Sequence, residues 1–253
     1  MSARDDILRR LRAALGRPAA PADAVRVAHP AVAEADGPPP ALAARFVAEL
    51  ERHRGTAEVM PGAAAAAAAV VARLQAWAAE DAPAAGAAGE PPALSSPIDV
   101  LAWSLEELGV PQLETLLAAN GFRLVTPGNV SPGPGRVRAA ACRYGVTGVE
   151  AAFAATGSLL LDTAAGRPRV ASLLPLRHIA LVPFSRLHAS MERWLAALRL
   201  AGAAAAYVRD RAALVLVHGP SKTSDIEMHL TLGVHGPRSV HVVLFDDAAP
   251  AAG

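Results

Sequence analysis

The sequence predicts an α/β protein built on a largely parallel sheet. Three observations carry this. Short apolar runs of strand length, among them Ile179–Pro183, Ala213–Val217 and Ser239–Phe245, alternate with longer segments of helical periodicity. Those runs are continuously apolar, as strands buried on both faces are. The chain has 253 residues, which at roughly 150 per domain gives one to two domains and a sizeable core.

Residues 2–15 read as a short helix. Ser2 caps it, Asp5 and Asp6 sit in its first turn, and Ile7, Leu8, Leu11 and Leu15 form one face before Gly16 and Pro18. Residues 17–40 carry Pro18, Pro21, Pro30 and Pro38–Pro40 without apolar periodicity, so 1–40 reads as a helix and a Pro-rich arm. The body is expected over 41–246 and a tail over 247–253. In the body, Leu42, Phe46, Val47 and Leu50 mark a helix closed by Gly55, and Thr56–Met60 a strand. The alanine-rich segment 63–80 is helical by propensity. Residues 81–92 read as a loop, Leu94–Ser96 as a strand, 111–119 as a helix, Phe122–Thr126 as a strand and Asn129–Gly135 as a break. Val137–Cys142 fits a helix or a strand. Phe153–Ala155 and Ser158–Asp162 read as short strands around Thr156-Gly157. After the strand at Ile179–Pro183 comes a helix, Met191–Leu200, with Met191, Trp194, Leu195 and Leu198 on one face, and then the last two strands.

Composition excludes several classes. Lysine and arginine number 24 against 23 acids, a net charge of +1, so a nucleic-acid binder running on bulk charge is excluded. The longest apolar run, the alanines from 63 and two valines, falls far short of the roughly 20 residues of a membrane span. The first residues are too charged for a signal peptide, and a cytoplasmic protein is expected. Cys142 is the single cysteine, which rules out an internal disulfide or a self-sufficient cysteine-ligated cluster. Alanine accounts for 61 residues and lysine for one, a coding bias that inflates the apolar fraction.

The densest polar segment is His218-Gly-Pro-Ser-Lys-Thr-Ser-Asp-Ile-Glu227, directly after the apolar run 213–217. In an open α/β sheet, loops at the carboxyl ends of strands bind ligands. Lys222 is the only lysine, Ser221, Thr223 and Ser224 add hydroxyls, and a following helix would offer N–H groups to an anion. This reads as a pocket for a carboxylate or phosphate. It also reads as a plain helix start, because Ser224 and Glu227 fit a capping box and two acids there would oppose an anion. Ser221 stands where a Walker A loop needs glycine. Gly145-Val-Thr-Gly-Val-Glu150 and Ala154-Ala-Thr-Gly-Ser158 fit either ordinary turns or close backbone approach to a ligand. His218, His229, His235 and His241 match no zinc spacing, so no metal site is expected. His178 and Cys142 read as packed side chains.

Taken together, five ordered blocks resemble the LUD-domain family, in its lactate-utilization C group. They are Gly145-Val-Thr-Gly148, Ala155-Thr-Gly-Ser158, Leu173-Leu-Pro175 with His178-Ile179, Gly219-Pro-Ser-Lys-Thr-Ser-Asp-Ile-Glu227 and Gly233-Val-His-Gly-Pro237. The likeness covers roughly 41–246 and is weak before 140. It implies a three-layer α/β/α fold of the NagB/RpiA/CoA-transferase-like group. It implies a role in oxidation of L-lactate to pyruvate beside iron–sulfur subunits, which would carry the clusters, this chain binding no cofactor alone. The site it implies has Thr156, Gly157, Ser158, Gly219, Ser221, Lys222, Thr223 and His235 around a small carboxylate or phosphate, with Asp225 and Glu227 as acid–base groups. The family usually has an acid where this chain has Ala155, and often an arginine where it has Lys222. A fixed positive charge pairing with a carboxylate survives both residue types. A stand-alone isomerase or acyl-transfer enzyme and a non-catalytic interaction module are the alternatives, and a homo-oligomer is left open.

Overall fold

A computed structural model describes residues 3–14, 36–82, 97–127, 134–224 and 230–248. The chain divides into two compact units, Met1–Val32 and Ala33–Gly253. The described part of the first is one helix, α1 (Ala3–Ala14), with Ile7 and Leu11 exposed.

The second unit opens with α2 (Pro39–Arg52), β1 (Thr56–Met60) and α3 (Ala63–Asp81). It continues through β2 (Ile98–Ala102), α4 (Leu105–Leu108), α5 (Leu113–Ala119), β3 (Phe122–Val125), α6 (Pro134–Ala141) and β4 (Tyr144–Thr147). Next come β5 (Ala151–Phe153), β6 (Ser158–Thr163), α7 (Val170–Leu173), β7 (Arg177–Pro183) and β8 (Leu187–His188). The chain then runs through α8 (Met191–Leu200), α9 (Ala204–Arg209), β9 (Ala213–Val217), the hairpin β10 (Lys222–Ser224) and β11 (Leu230–Leu232), and β12 (Ser239–Phe245). Six strands form a wholly parallel sheet in the order β1-β12-β7-β4-β2-β3. Its inner strands are buried at nearly every position, which is why they read as unbroken apolar runs. α3 packs on β1 and β12, while α2 packs on β1 and on β8 of a second sheet, β8-β5-β6-β9. Phe46 and Leu50 of α2, Leu74 of α3 and Phe245 of β12 share the main core.

Several expectations change here. Helix α2 starts at Pro39, so the last prolines of the expected arm open a helix, where a missing N–H costs nothing. The expected strand at Leu94–Ser96 lies outside the described residues. The strand formed nearby, β2, carries Asp99, which is held at the rim by Arg123 (2.7 Å) and Arg138 (2.6 Å). The Arg138 hydrogen bond, with further help from Arg123, outweighs burial and lowers the Asp99 carboxyl to about 2. Of the segment 137–142, residues 137–141 are helical, in α6, and Cys142 follows its end. The run 213–217 is a strand but not a parallel one. β9 pairs antiparallel with β6, has no second neighbour among the described residues, and leaves Leu214 and Leu216 exposed. After β9 the chain enters β10, where Lys222–Ser224 pairs antiparallel with Leu230–Leu232, and the helix expected after Ser224 lies outside the described residues.

Two of the polar clusters within the unit bear on its stability. Arg167 reaches Glu107 (2.6 Å), Glu150 (2.9 Å) and Asp162 (2.8 Å), and its guanidinium lies 5.5 Å over the Trp103 ring. Arg211 holds the other oxygen of Asp162 at 2.8 Å. This cluster fastens α4, next to the large sheet, to β6 of the small one. The second cluster is one pair: Thr147 Oγ1 lies 2.9 Å from His178 Nε2, with both side chains fully buried, and Nδ1 of His178 has no partner among the described residues.

Burial pushes the His178 imidazole down from its ordinary 6.5 to about 4. The unfolded chain takes up this proton as pH falls below about 6.5, and the folded chain only near 4. Stability is therefore complete above that window and is lost as pH falls through it, by about 3 kcal/mol from this group. Urea midpoints at neutral pH and near pH 4.5 should show the loss, and His178→Gln should flatten it. An unchanged slope in the variant would refute the assignment. Burial likewise pushes the Cys142 thiol up to about 11, away from the reactive thiolate.

Candidate functional site

β6 and β9 run antiparallel with Leu159 opposite Val217, so Ser158 at the start of β6 meets His218 just past the end of β9. Ser158 Oγ lies 2.6 Å from His218 Nδ1 and 2.8 Å from Thr156 Oγ1. The two stretches marked in the sequence thus converge through a strand pairing. The third wall is the last turn of α2. Gly157 has φ +63°, and a Cβ there would lie 2.4 Å from the backbone nitrogen of Leu50. Gly219 has φ +82°, and a Cβ there would lie 2.7 Å from the carbonyl oxygen of His53. Only glycine permits both approaches. They bring the His53 ring edge-on to His218, with centroids 3.9 Å apart.

Lys222 is exposed at the start of β10 and acts electrostatically on His218. Burial first, then the charges of His53 and Lys222, hold the His218 imidazolium below its ordinary range, while Glu49 pulls the other way. Glu49 is buried and paired with Arg45 at 2.7 Å and Arg52 at 3.3 Å. It brings a carboxylate to this corner from α2. At Ala155, where the resemblance has an acid, the side chain is buried and the amide donates to the Ala189 carbonyl.

Three of the backbone donors expected here are committed elsewhere: the amides of Thr156 and Gly157 donate to the Phe153 carbonyl, and that of Ser221 to the Pro237 carbonyl. The side chains offer an anion hydroxyls, two imidazoles and an ammonium. The Gly233–Pro237 turn closes against Ser221, whose carbonyl accepts from the Gly233 amide, and His235 is exposed on it. Thr223 lies on β10 opposite Thr231. Asp225 and Glu227 lie outside the described residues, as does His229. His241 is on β12, between Thr56 (2.8 Å) and Glu58 (2.7 Å). Among the described residues, no three His, Cys, Asp or Glu side chains group as metal ligands, and no helix is long and apolar enough to cross a membrane.

His53, His218 and Glu49 were not marked as ligand residues by sequence. His218 opens the polar segment and carried a signal; His53 and Glu49 carried none, because a helix far along the chain delivers them. A cavity of about 510 Å³ opens elsewhere, beyond the carboxyl ends of β7 and β12, lined by Pro39, Pro40, Phe184, Ser185, Asp246 and Asp247. Two prolines without N–H and two aspartates make it a poor host for an anion.

The LUD domain family model matches residues 43–245, most of the chain. The chain belongs to the LUD-domain family. Over 103 residues it is 39% identical to a lactate utilization protein C of Exiguobacterium, a match covering 41% of this chain and 44% of that protein. A lactate utilization protein C of Deinococcus radiodurans is 36% identical over 100 residues, 39% of this chain and 44% of the relative. The matched region therefore spans less than half the length of these LUD relatives. A crystal structure of a DUF162 family protein from Deinococcus radiodurans is similar with a TM-score of 0.54 at 17% identity, covering 83% of this chain and 99% of that one. That likeness is one of fold.

Proposed function

We propose that this LUD-domain protein serves lactate utilization as a non-membrane-spanning component that binds a small carboxylate, with electron transfer left to iron–sulfur subunits. The relatives named lactate utilization protein C support the role. The observation that carries the carboxylate site is the junction of Ser158 with His218, which brings two hydroxyls and two imidazoles together in the field of Lys222. A carboxylate takes charge-assisted hydrogen bonds from such a set, each contributing about 1.5–3 kcal/mol. Thr156, His218 and Lys222 would hold it, with Ser158 linking the first two, while Gly157 and Gly219 set the spacing of the walls.

The test is calorimetric titration of the purified chain with L-lactate, pyruvate and CoA, repeated on Lys222→Ala. Lactate or pyruvate should bind, and the variant should bind it roughly tenfold more weakly. Equal binding in both proteins, or none in either, removes the site as assigned. Turnover of acyl-CoA or sugar phosphates by the chain alone would replace this reading with that of a stand-alone enzyme.

A further inference from the structure

We propose that His218 is the ligand-facing acid of the site: it binds a proton as the carboxylate binds, and His53 is its positioning partner. This rests on the small-carboxylate reading and adds to it a proton and a positioning residue.

The hydroxyl pair beneath the ring makes the change of charge cheap. With a neutral ring, Ser158 donates its proton to His218 Nδ1 and accepts one from Thr156. With a charged ring, Nδ1–H donates to Ser158 Oγ, and the serine proton turns to Thr156. A hydroxyl both donates and accepts, so the Thr156–Ser158–His218 chain holds in both states, and the charged state frees the Thr156 proton to donate to the ligand. The surroundings then decide the charge.

The groups acting on the ring come from three sides. From the end of α2 come His53, edge-on at 3.9 Å, and Glu49; from β10 comes Lys222; β6 contributes only the Ser158 hydroxyl. Two imidazoles beside an ammonium resist a further positive charge, and among the described residues the carboxylate facing them, Glu49, is already shared by Arg45 and Arg52. A bound carboxylate adds the missing negative charge. An opposite charge within about 4–6 Å favours the imidazolium by one pH unit or more. The same proton strengthens the hold on the ligand, so the site selects a carboxylate arriving with a proton over a neutral analogue of the same shape.

The experiment follows the His218 ring proton by NMR between about pH 5 and 8. The signal is assigned by its loss in His218→Gln. Titrations are run in saturating sodium L-lactate and in sodium chloride of equal ionic strength. Lactate should raise the midpoint by about one pH unit or more and chloride should not. Lactate affinity should rise as pH falls in the parent chain but not in His218→Gln. His53→Gln should raise the ligand-free midpoint. Lysine-dependent lactate binding with an unmoved midpoint would overturn this inference and leave the site standing. An equal shift in chloride would also overturn it. No lactate binding at any pH would overturn both.

Discussion

Gly157→Ala is expected to destabilise the protein by about 3 kcal/mol and to abolish carboxylate binding with it. Two costs add. A φ of +63° is a left-handed conformation that costs an L-residue about 1–2 kcal/mol. The larger cost is steric, because the new Cβ would lie 2.4 Å from the Leu50 nitrogen and 2.8 Å from the Glu49 carbonyl carbon. These are backbone atoms, so relief requires α2 to move. Leu50 and Phe46, both fully buried, move with it, and displaced core packing costs a further 1–3 kcal/mol or so. Gly202→Ala is the control. Its φ is +65°, but nothing lies within 4 Å of the added atom, so it isolates the conformational cost. Urea unfolding of both variants separates the two costs, and equal losses would remove the steric one.

Arg167→Met should be of similar size, about 3–5 kcal/mol at neutral pH. The Asp162 side chain is 1% exposed and that of Glu150 10% exposed, and both lean on this guanidinium. Burial opposes the Arg167 charge, but hydrogen bonds to Asp162 and Glu107 hold the group protonated well beyond its ordinary range. Methionine fills much of the volume and restores none of the charge. Arg211 still holds Asp162, which keeps the loss short of the extreme. Urea unfolding of the parent chain and the variant at neutral pH measures the loss, and a loss within about 0.5 kcal/mol would mean the cluster is not its source.

Much of the fold was readable because burial on both faces leaves a plain trace. The strand at Ser239–Phe245 matches its expected bounds to the residue, as does Thr56–Met60, an edge strand without that burial. β9 left the same trace for a different reason. As an edge strand it keeps Leu214 and Leu216 in solvent, and a continuous apolar run does not distinguish that from a buried parallel strand. β2 was missed because Asp99 interrupts it, and only the partners Arg123 and Arg138 show why a charge is tolerated there. The pairing of 222–224 with 230–232 was not marked in the sequence, because the hydroxyls and lysine of 221–224 do not read as a strand. Both halves of the candidate site were marked in the sequence. Their meeting depends on β6 pairing with β9, a non-local fact, and the α2 wall with His53 and Glu49 depends on backbone approach at two glycines.

The lone exposed lysine also makes this chain convenient to instrument. Apart from the amino terminus, an amine-reactive fluorophore has one side-chain address, at the mouth of the proposed site. Protection of that address by a metabolite would rank candidate ligands without a crystal, and the dye itself would report occupancy in real time.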